Sequence, residues 1–223
     1  MADKEKTFIL NDNAPFAVQE AYRALRSNVI FSLPDSGGKC IGVTSGARGD
    51  RKSSTAINLA ISFSEYGKKV IVIDCDLRLP TVAEKLKMHN TPGLSDVIVG
   101  NCKLGAAVQF YSERLDVIPA GTIPKDATGI LSSERMKSLI ARLKEIYDYV
   151  FVDLPPVNTV TDAVLLAGSI DGYLLVVHHE KTEYKEVNSM IKLLHMADAK
   201  ILGFVYASAP LVKKKGYGYY YKK

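Results

Sequence analysis

The sequence predicts an α/β domain built on a mainly parallel sheet, and three observations carry that expectation. Short apolar runs rich in Val and Ile recur along the chain, and longer amphipathic segments separate them. The runs are continuous rather than alternating, as in strands covered on both faces. The expected strands are CIGVT (40–44), KVIVID (69–74), LDVIPA (115–120), YVFVDL (149–154), GYLLVV (172–177) and ILGFVYA (201–207). Between them, helices are expected over 52–66, 132–146, 160–168 and 182–197.

A further helix is expected ahead of the first strand, over 15–33. Val18, Tyr22, Leu25 and Val29 fall at i, i+4, i+7 and i+11, a core-facing stripe, whereas Glu20, Arg23 and Arg26 occupy a different face at spacing three. The pattern stops after residue 208. The closing stretch KKKGYGYYYKK has nothing with which to bury a core and is expected to be flexible. The chain therefore divides into a domain over 1–208 and a Lys/Tyr-rich tail over 209–223.

Charge follows the same division. Lys plus Arg minus Asp plus Glu is 29 − 24 = +5, and the last eleven residues hold five lysines and no acid. Without them the balance is 24 − 24 = 0, so the basic character belongs to the tail and no nucleic-acid surface is implied. The three cysteines, Cys40, Cys75 and Cys102, form no CxxC pair, and the four histidines lack metal-ligand spacing. A reduced, cytoplasmic setting without structural zinc is expected. The opening residues lack the apolar core of a secretion signal, and no apolar run reaches membrane-spanning length.

Function is signalled at the end of the first strand. TSGARGDRKSST (44–55) has the outline GxxxxGK[ST], with Arg51 in place of the last glycine. Such a loop aims backbone N–H groups at phosphate oxygens, and the helix that follows adds its positive end. Gly46, Ala47, Arg48, Gly49, Asp50, Arg51, Lys52, Ser53 and Ser54 would surround the phosphates; Lys52 would reach the β- and γ-phosphates and Ser53 would hold magnesium. Alone, the stretch reads equally well as an ordinary Gly/Ser loop capping a helix. Asp74 and Asp76 at the end of one buried strand and Asp153 at the end of another shift the balance. Acids at the C-terminal ends of parallel strands face the crevice where such sheets bind ligands. Together with Lys52 they form a set suited to Mg²⁺ and nucleotide.

These stretches also resemble the bacterial tyrosine kinases (BY-kinases) of capsule and exopolysaccharide synthesis, in the form whose cytoplasmic kinase is a separate polypeptide. The resemblance spans nearly the whole chain and implies a P-loop NTPase-like fold. It rests on the Walker A loop, a Walker A′ stretch VIVIDCDLRLP, a Walker B stretch DYVFVDLPP followed by VTDAVLLAGSIDGYLLVV, EAYRALRSN (20–28) as an ExxRxxR motif, and the tyrosine-rich end. It implies ATP and Mg²⁺ as cofactors, with Lys52 on phosphate, Ser53, Asp74 and Asp153 positioning Mg²⁺, and Asp76 as the base for a tyrosine hydroxyl. It further implies that Tyr217, Tyr219, Tyr220 and Tyr221 accept phosphate from a neighbouring subunit, that Glu20, Arg23 and Arg26 join subunits into a ring, and that a transmembrane activator of polysaccharide synthesis recruits the kinase to the inner face of the membrane.

Four positions depart from that pattern. Arg51 replaces a glycine; its side chain is expected to clash with the phosphates, or to distort the loop if the site needs φ > 0, unless the guanidinium swings outward or pairs with phosphate as a cation. Arg48 stands where proline is usual, Ala207 where an asparagine reads adenine, and Gly129 where an acid is usual in KDATGILSS. A catalytically silent scaffold subunit is therefore the alternative to a kinase. A septum-site or partition ATPase of the same P-loop branch is disfavoured, since the position of its extra loop lysine is Ala47.

Overall fold

A computed structural model describes residues 9–34 and 36–210, so the four expected phosphoacceptor tyrosines lie outside the described residues. In chain order the elements are α1 (Phe16–Ser32), β1 (Lys39–Ser45), α2 (Lys52–Glu65), β2 (Val70–Asp74), α3 (Val82–Leu86), α4 (Leu94–Val99), α5 (Leu104–Ala107), β3 (Gln109–Ser112), β4 (Leu115–Ile118), α6 (Ala127–Leu131), α7 (Glu134–Ile146), β5 (Tyr149–Asp153), α8 (Asp162–Leu165), β6 (Gly172–His178), α9 (Tyr184–His195) and β7 (Ile201–Ala207). All six expected strands form. The seven-stranded sheet runs β3-β4-β2-β5-β1-β6-β7, parallel throughout except for β3, an edge strand antiparallel to β4 that the sequence reading did not include.

Each strand feeds two cores because its side chains alternate between faces. Val70, Val72, Phe151 and Val176 pack with Ile57, Leu59 and Phe63 of α2 on one face. Ile71, Ile73, Val152 and Leu175 pack with Met136, Ile140 and Leu143 of α7 and Met190 and Leu194 of α9 on the other. Both layers are dry, which is why the strands read as unbroken apolar runs. On the first face, Phe63 meets Tyr149 and Phe151 with ring centroids 4.3 Å and 5.3 Å away. Among the described residues no helix is long and apolar enough to cross a membrane.

The α1 stripe behaves as its spacing predicts: Val29 is buried, and Val18, Tyr22 and Leu25 pack partly buried against the α2 face. Its polar face divides. Glu20 and Arg23 are exposed and pair with each other. Arg26 instead turns onto α2, where its guanidinium donates to the Ser62 carbonyl at 2.7 Å and hydroxyl at 3.0 Å and lies 4.5 Å from the Tyr66 ring centroid. Asn58 of α2 continues this seam, accepting from the Leu10 N–H at 2.8 Å and donating to the Tyr22 hydroxyl at 3.2 Å.

Candidate nucleotide and phosphoryl-transfer site

Three strands deliver the site. β1, β2 and β5 are neighbours at the sheet centre, and their C-terminal ends open into one crevice. The phosphate loop leaves β1, and α2 begins at Lys52, immediately beyond it. The register of β2 and β5 sets Asp74 directly opposite Asp153. A cleft of about 470 Å³ lies in front of them, lined among others by Arg51, Lys52, Ser53, Asp76, Arg78 and Lys85.

The loop has the glycine shape despite its sequence. Arg51 sits at φ 72°, ψ 18°, in the left-handed region, two residues after Gly49 at φ 89°. Left-handed residues interspersed in a turn point successive N–H groups inward and make an anion-binding concavity. The Arg51 carbonyl still accepts the first helical bond, from Thr55 N–H at 2.9 Å. The site thus does require a positive φ at this position. Arg51 accepts a conformation that costs a residue with a Cβ roughly 1–2 kcal/mol, and its side chain takes part in lining the cleft.

Lys52 is 8% exposed, and its ammonium lies 2.8 Å from Asp76 Oδ2, 3.5 Å from Asp153 Oδ1 and 3.4 Å from the Ser53 hydroxyl. Burial alone would depress its pKa, but Asp153 and Asp76 outweigh that and hold it above the usual lysine value. The carboxylates differ in how they are satisfied. Asp74 is enclosed by backbone N–H groups, taking Asp76 on one oxygen at 3.1 Å and Thr81 and Val82 on the other at 3.1 and 3.0 Å. Asp76 accepts from Leu79 N–H with the oxygen that does not face Lys52. Asp153 is fully buried, and its Oδ2 has no hydrogen-bond partner.

That orphaned oxygen, with the Ser53 hydroxyl close enough to lower the Asp153 pKa, fits one edge of a Mg²⁺ site. No cluster of three or more His, Cys, Asp or Glu side chains suited to a metal occurs among the described residues. This is compatible with magnesium, which takes one or two carboxylates and completes its shell with water and phosphate. Asp74, whose oxygens are already committed to the backbone, is better placed to hold the loop after β2 in shape than to touch the ion directly.

Burial, then the facing Asp153, pushes the Asp74 carboxyl from 3.8 up to about 7, and burial likewise raises Asp153. Between those limits the folded chain binds more protons at Asp74 than the unfolded chain does. The contribution of Asp74 to stability is therefore present below the unfolded value and lost as pH rises towards about 7. Without Mg²⁺, the wild-type melting temperature is expected to carry a falling contribution from Asp74 between about pH 4 and 7, and the curve of an Asp153→Asn variant, lacking the facing charge, is expected to be flatter. Parallel curves would contradict this account of the pair.

Several residues that the sequence reading assigned no role lie at or near the cleft. Asp162, fully buried, ion-pairs with Arg78 Nε at 3.3 Å, and Arg78 also donates to Thr128 at 2.9 Å. Arg78 is thus tied by a structural pair at the cleft rim. Lys85 faces the cleft from α3, and Asn158 donates to the Glu186 carbonyl at 3.0 Å. Ala207, which does not line the cleft, accepts from His179 N–H with its carbonyl at 2.9 Å, and its methyl could offer adenine no hydrogen bond. Cys75, between the Walker A′ aspartates, is fully buried.

Comparison with known proteins agrees with this geometry. A family model described as an AAA domain matches residues 38–201. Tyrosine-protein kinase YwqD of Bacillus subtilis strain 168 is 39% identical over 202 residues, covering 90% of this chain and 85% of that protein. The chain belongs to the bacterial tyrosine kinase family. In keeping with that family, the kinase domain of the Escherichia coli tyrosine kinase ETK superposes with a TM-score of 0.81 at 29% identity, covering 89% of this chain and 80% of that one. The septum site-determining protein MinD of Pyrococcus horikoshii, solved with Mg-ADP, superposes with a TM-score of 0.65 at 25% identity, covering 76% and 70%. The P-loop nucleotide-binding fold is thus shared more widely than the kinase family, and the greater likeness is to the kinase.

Proposed function

We propose that the chain is an ATP- and Mg²⁺-dependent protein tyrosine kinase that phosphorylates its own tail tyrosines, Tyr217, Tyr219, Tyr220 and Tyr221, on a neighbouring copy. The observation that supports this most is the Lys52–Asp76 ion pair at the mouth of a formed phosphate loop, with Asp153 and Ser53 beside it. Lys52 exchanges Asp76 for the phosphates when nucleotide arrives, which leaves Asp76 unpaired and ready to accept a proton. The tyrosine oxygen then bonds to the γ-phosphorus as the bond to the departing diphosphate breaks, and the hydroxyl proton passes to Asp76. Asp153 and Ser53 would hold Mg²⁺, which neutralises charge on the phosphates. Positioning and charge neutralisation supply the catalysis, and a buried ammonium held above its ordinary pKa suits both.

Glu20 and Arg23 remain exposed for contacts between copies, and we assign the assembly to a homo-oligomer. Arg26 serves it indirectly, by fixing α1 on α2. A membrane-spanning partner that governs capsular or exopolysaccharide synthesis is the proposed activator and places the kinase at the inner face of the membrane. The scaffold reading draws its support from the Cβ at position 51 and the methyl at position 207. Incubating the purified chain with ATP and Mg²⁺ and locating phosphotyrosine by mass spectrometry separates the two. Phosphate on the tail, lost in Lys52→Met, is the expected result; no phosphotyrosine in the presence of the activator would leave only the scaffold.

A further inference from the structure

Lys181 lies in the turn between β6 and α9, far along the chain from the phosphate loop and outside every motif singled out in the sequence. The turn is tightly made. Lys181 and Thr182 N–H groups donate to the His178 carbonyl at 3.2 and 3.1 Å, the Thr182 hydroxyl accepts from His178 N–H at 2.8 Å, and Glu180 is left-handed at φ 57°. From this base the Lys181 ammonium reaches the phosphate loop, where it donates to the Arg48 carbonyl at 3.2 Å and lies 3.9 Å from Asp50 Oδ1.

Asp50 gives that contact its weight. Its side chain is 1% exposed, Oδ2 accepts from Ala47 N–H at 2.8 Å, and Oδ1 is buried with no hydrogen-bond partner. A buried carboxylate oxygen left in that state is costly unless a cation stands near it. Gly49, between the two contacts, makes the room: a Cβ there would lie 2.9 Å from the Lys181 ammonium. One amine thus spans residues 48 and 50 across a residue that must lack a side chain. The first turn of α9 presses on the same loop, since a Cβ on Gly46 would lie 3.5 Å from Glu186 Cβ.

We propose that Lys181 is a positioning residue for the nucleotide, a clasp that holds residues 48–50 in the phosphate-binding shape without itself lining the cleft. This rests on the reading of the cleft as a nucleotide site. A loop whose N–H groups must converge on phosphate gains affinity when it is ordered beforehand. Arg48 stands where a proline would preset the loop and Arg51 where a glycine would take the left-handed turn without strain, and the clasp supplies order from a different element. It also ties the phosphate loop to the turn whose His179 N–H holds the Ala207 carbonyl at the end of β7.

The test is titration of ADP·Mg²⁺ into the wild-type chain and into Lys181→Met, Lys181→Arg and Asp50→Asn variants, with melting temperatures measured alongside. Lys181→Met is expected to weaken binding on the order of tenfold, the size of one charge-assisted hydrogen bond lost. Its melting temperature should also fall somewhat, because Asp50 is left buried without its nearby cation, and that fall should be smaller in the Asp50→Asn background. Lys181→Arg should recover most of the affinity, since a guanidinium can reach both acceptors, and Lys181→Met should cost less in an Asp50→Asn background. Wild-type and Lys181→Met binding equally well would overturn the clasp and leave the nucleotide site standing. Arg as damaging as Met would also overturn it. A wild-type chain that binds no ADP·Mg²⁺ would overturn the nucleotide reading itself.

Discussion

Replacing Asp153 with asparagine is expected to cost tyrosine phosphorylation on the order of 100-fold or more, while raising the melting temperature of the nucleotide-free chain. The two effects have one origin. Asp153 is fully buried opposite Asp74, with one oxygen unpartnered, and burial raises its pKa. Burial keeps its pKa raised even with the Lys52 ammonium 3.5 Å away, so the charge is unfavourable until a further cation binds, and an isosteric amide relieves the repulsion while keeping an acceptor for Lys52. A relief of about 1 kcal/mol corresponds to roughly 2–4 °C in a chain of this size. The same change removes the oxygen proposed for Mg²⁺. Strain retained at a functional group is the pattern expected of a site selected for binding rather than stability. Thermal melting and a phosphotyrosine assay on the one variant read both effects. A variant that is less stable and still active would mean Asp153 is a structural residue.

The second large effect is at Arg51, where two substitutions should move nucleotide affinity in opposite directions. Arg51→Gly removes a Cβ from a left-handed position at the closest approach of backbone to phosphate. Arg51→Ala keeps the Cβ and its strain but removes the guanidinium. The expected order of affinity for ADP·Mg²⁺ is Gly above Arg above Ala, with Gly about tenfold tighter than wild type because without a Cβ the backbone can approach the phosphate more closely. Relief of roughly 1–2 kcal/mol of strain is expected instead in the melting temperature, since the left-handed φ is already present without nucleotide. Equal affinity for all three would mean that position 51 does not touch the phosphate site. Ala tighter than wild type would mean that the guanidinium obstructs it.

Much of this molecule was legible in its sequence, for reasons tied to particular residues. β1, β2, β5 and most of β6 announced themselves because they are buried on both faces; ILGFVYA also forms over 201–207 as expected, although it is the half-exposed edge of the sheet. The helix over 52–66 was legible because it follows a strand and a glycine-bearing turn. Strand β3 and helices α3 to α6 were not, since four to six residues are too few to display a period. Lys52, Asp74, Asp76 and Asp153 were found because the ends of parallel strands must converge, and they do converge. What spacing could not give was the partner of each side chain. Arg26 shares a helical face with Glu20 and Arg23, yet it is spent on Ser62 and Tyr66 of α2. Lys181 had no signal at all, because its target lies 133 residues away along the chain. The positive φ at Arg51 was a condition the sequence could state but not decide.

The central claim is that a phosphate loop with arginine at its glycine position keeps a working shape. Calorimetric titration of the wild-type chain with ADP and Mg²⁺ tests it most directly. The account expects saturable one-to-one binding in the micromolar range, abolished by Lys52→Met. No measurable heat at millimolar nucleotide, with the fold intact by melting, would contradict it.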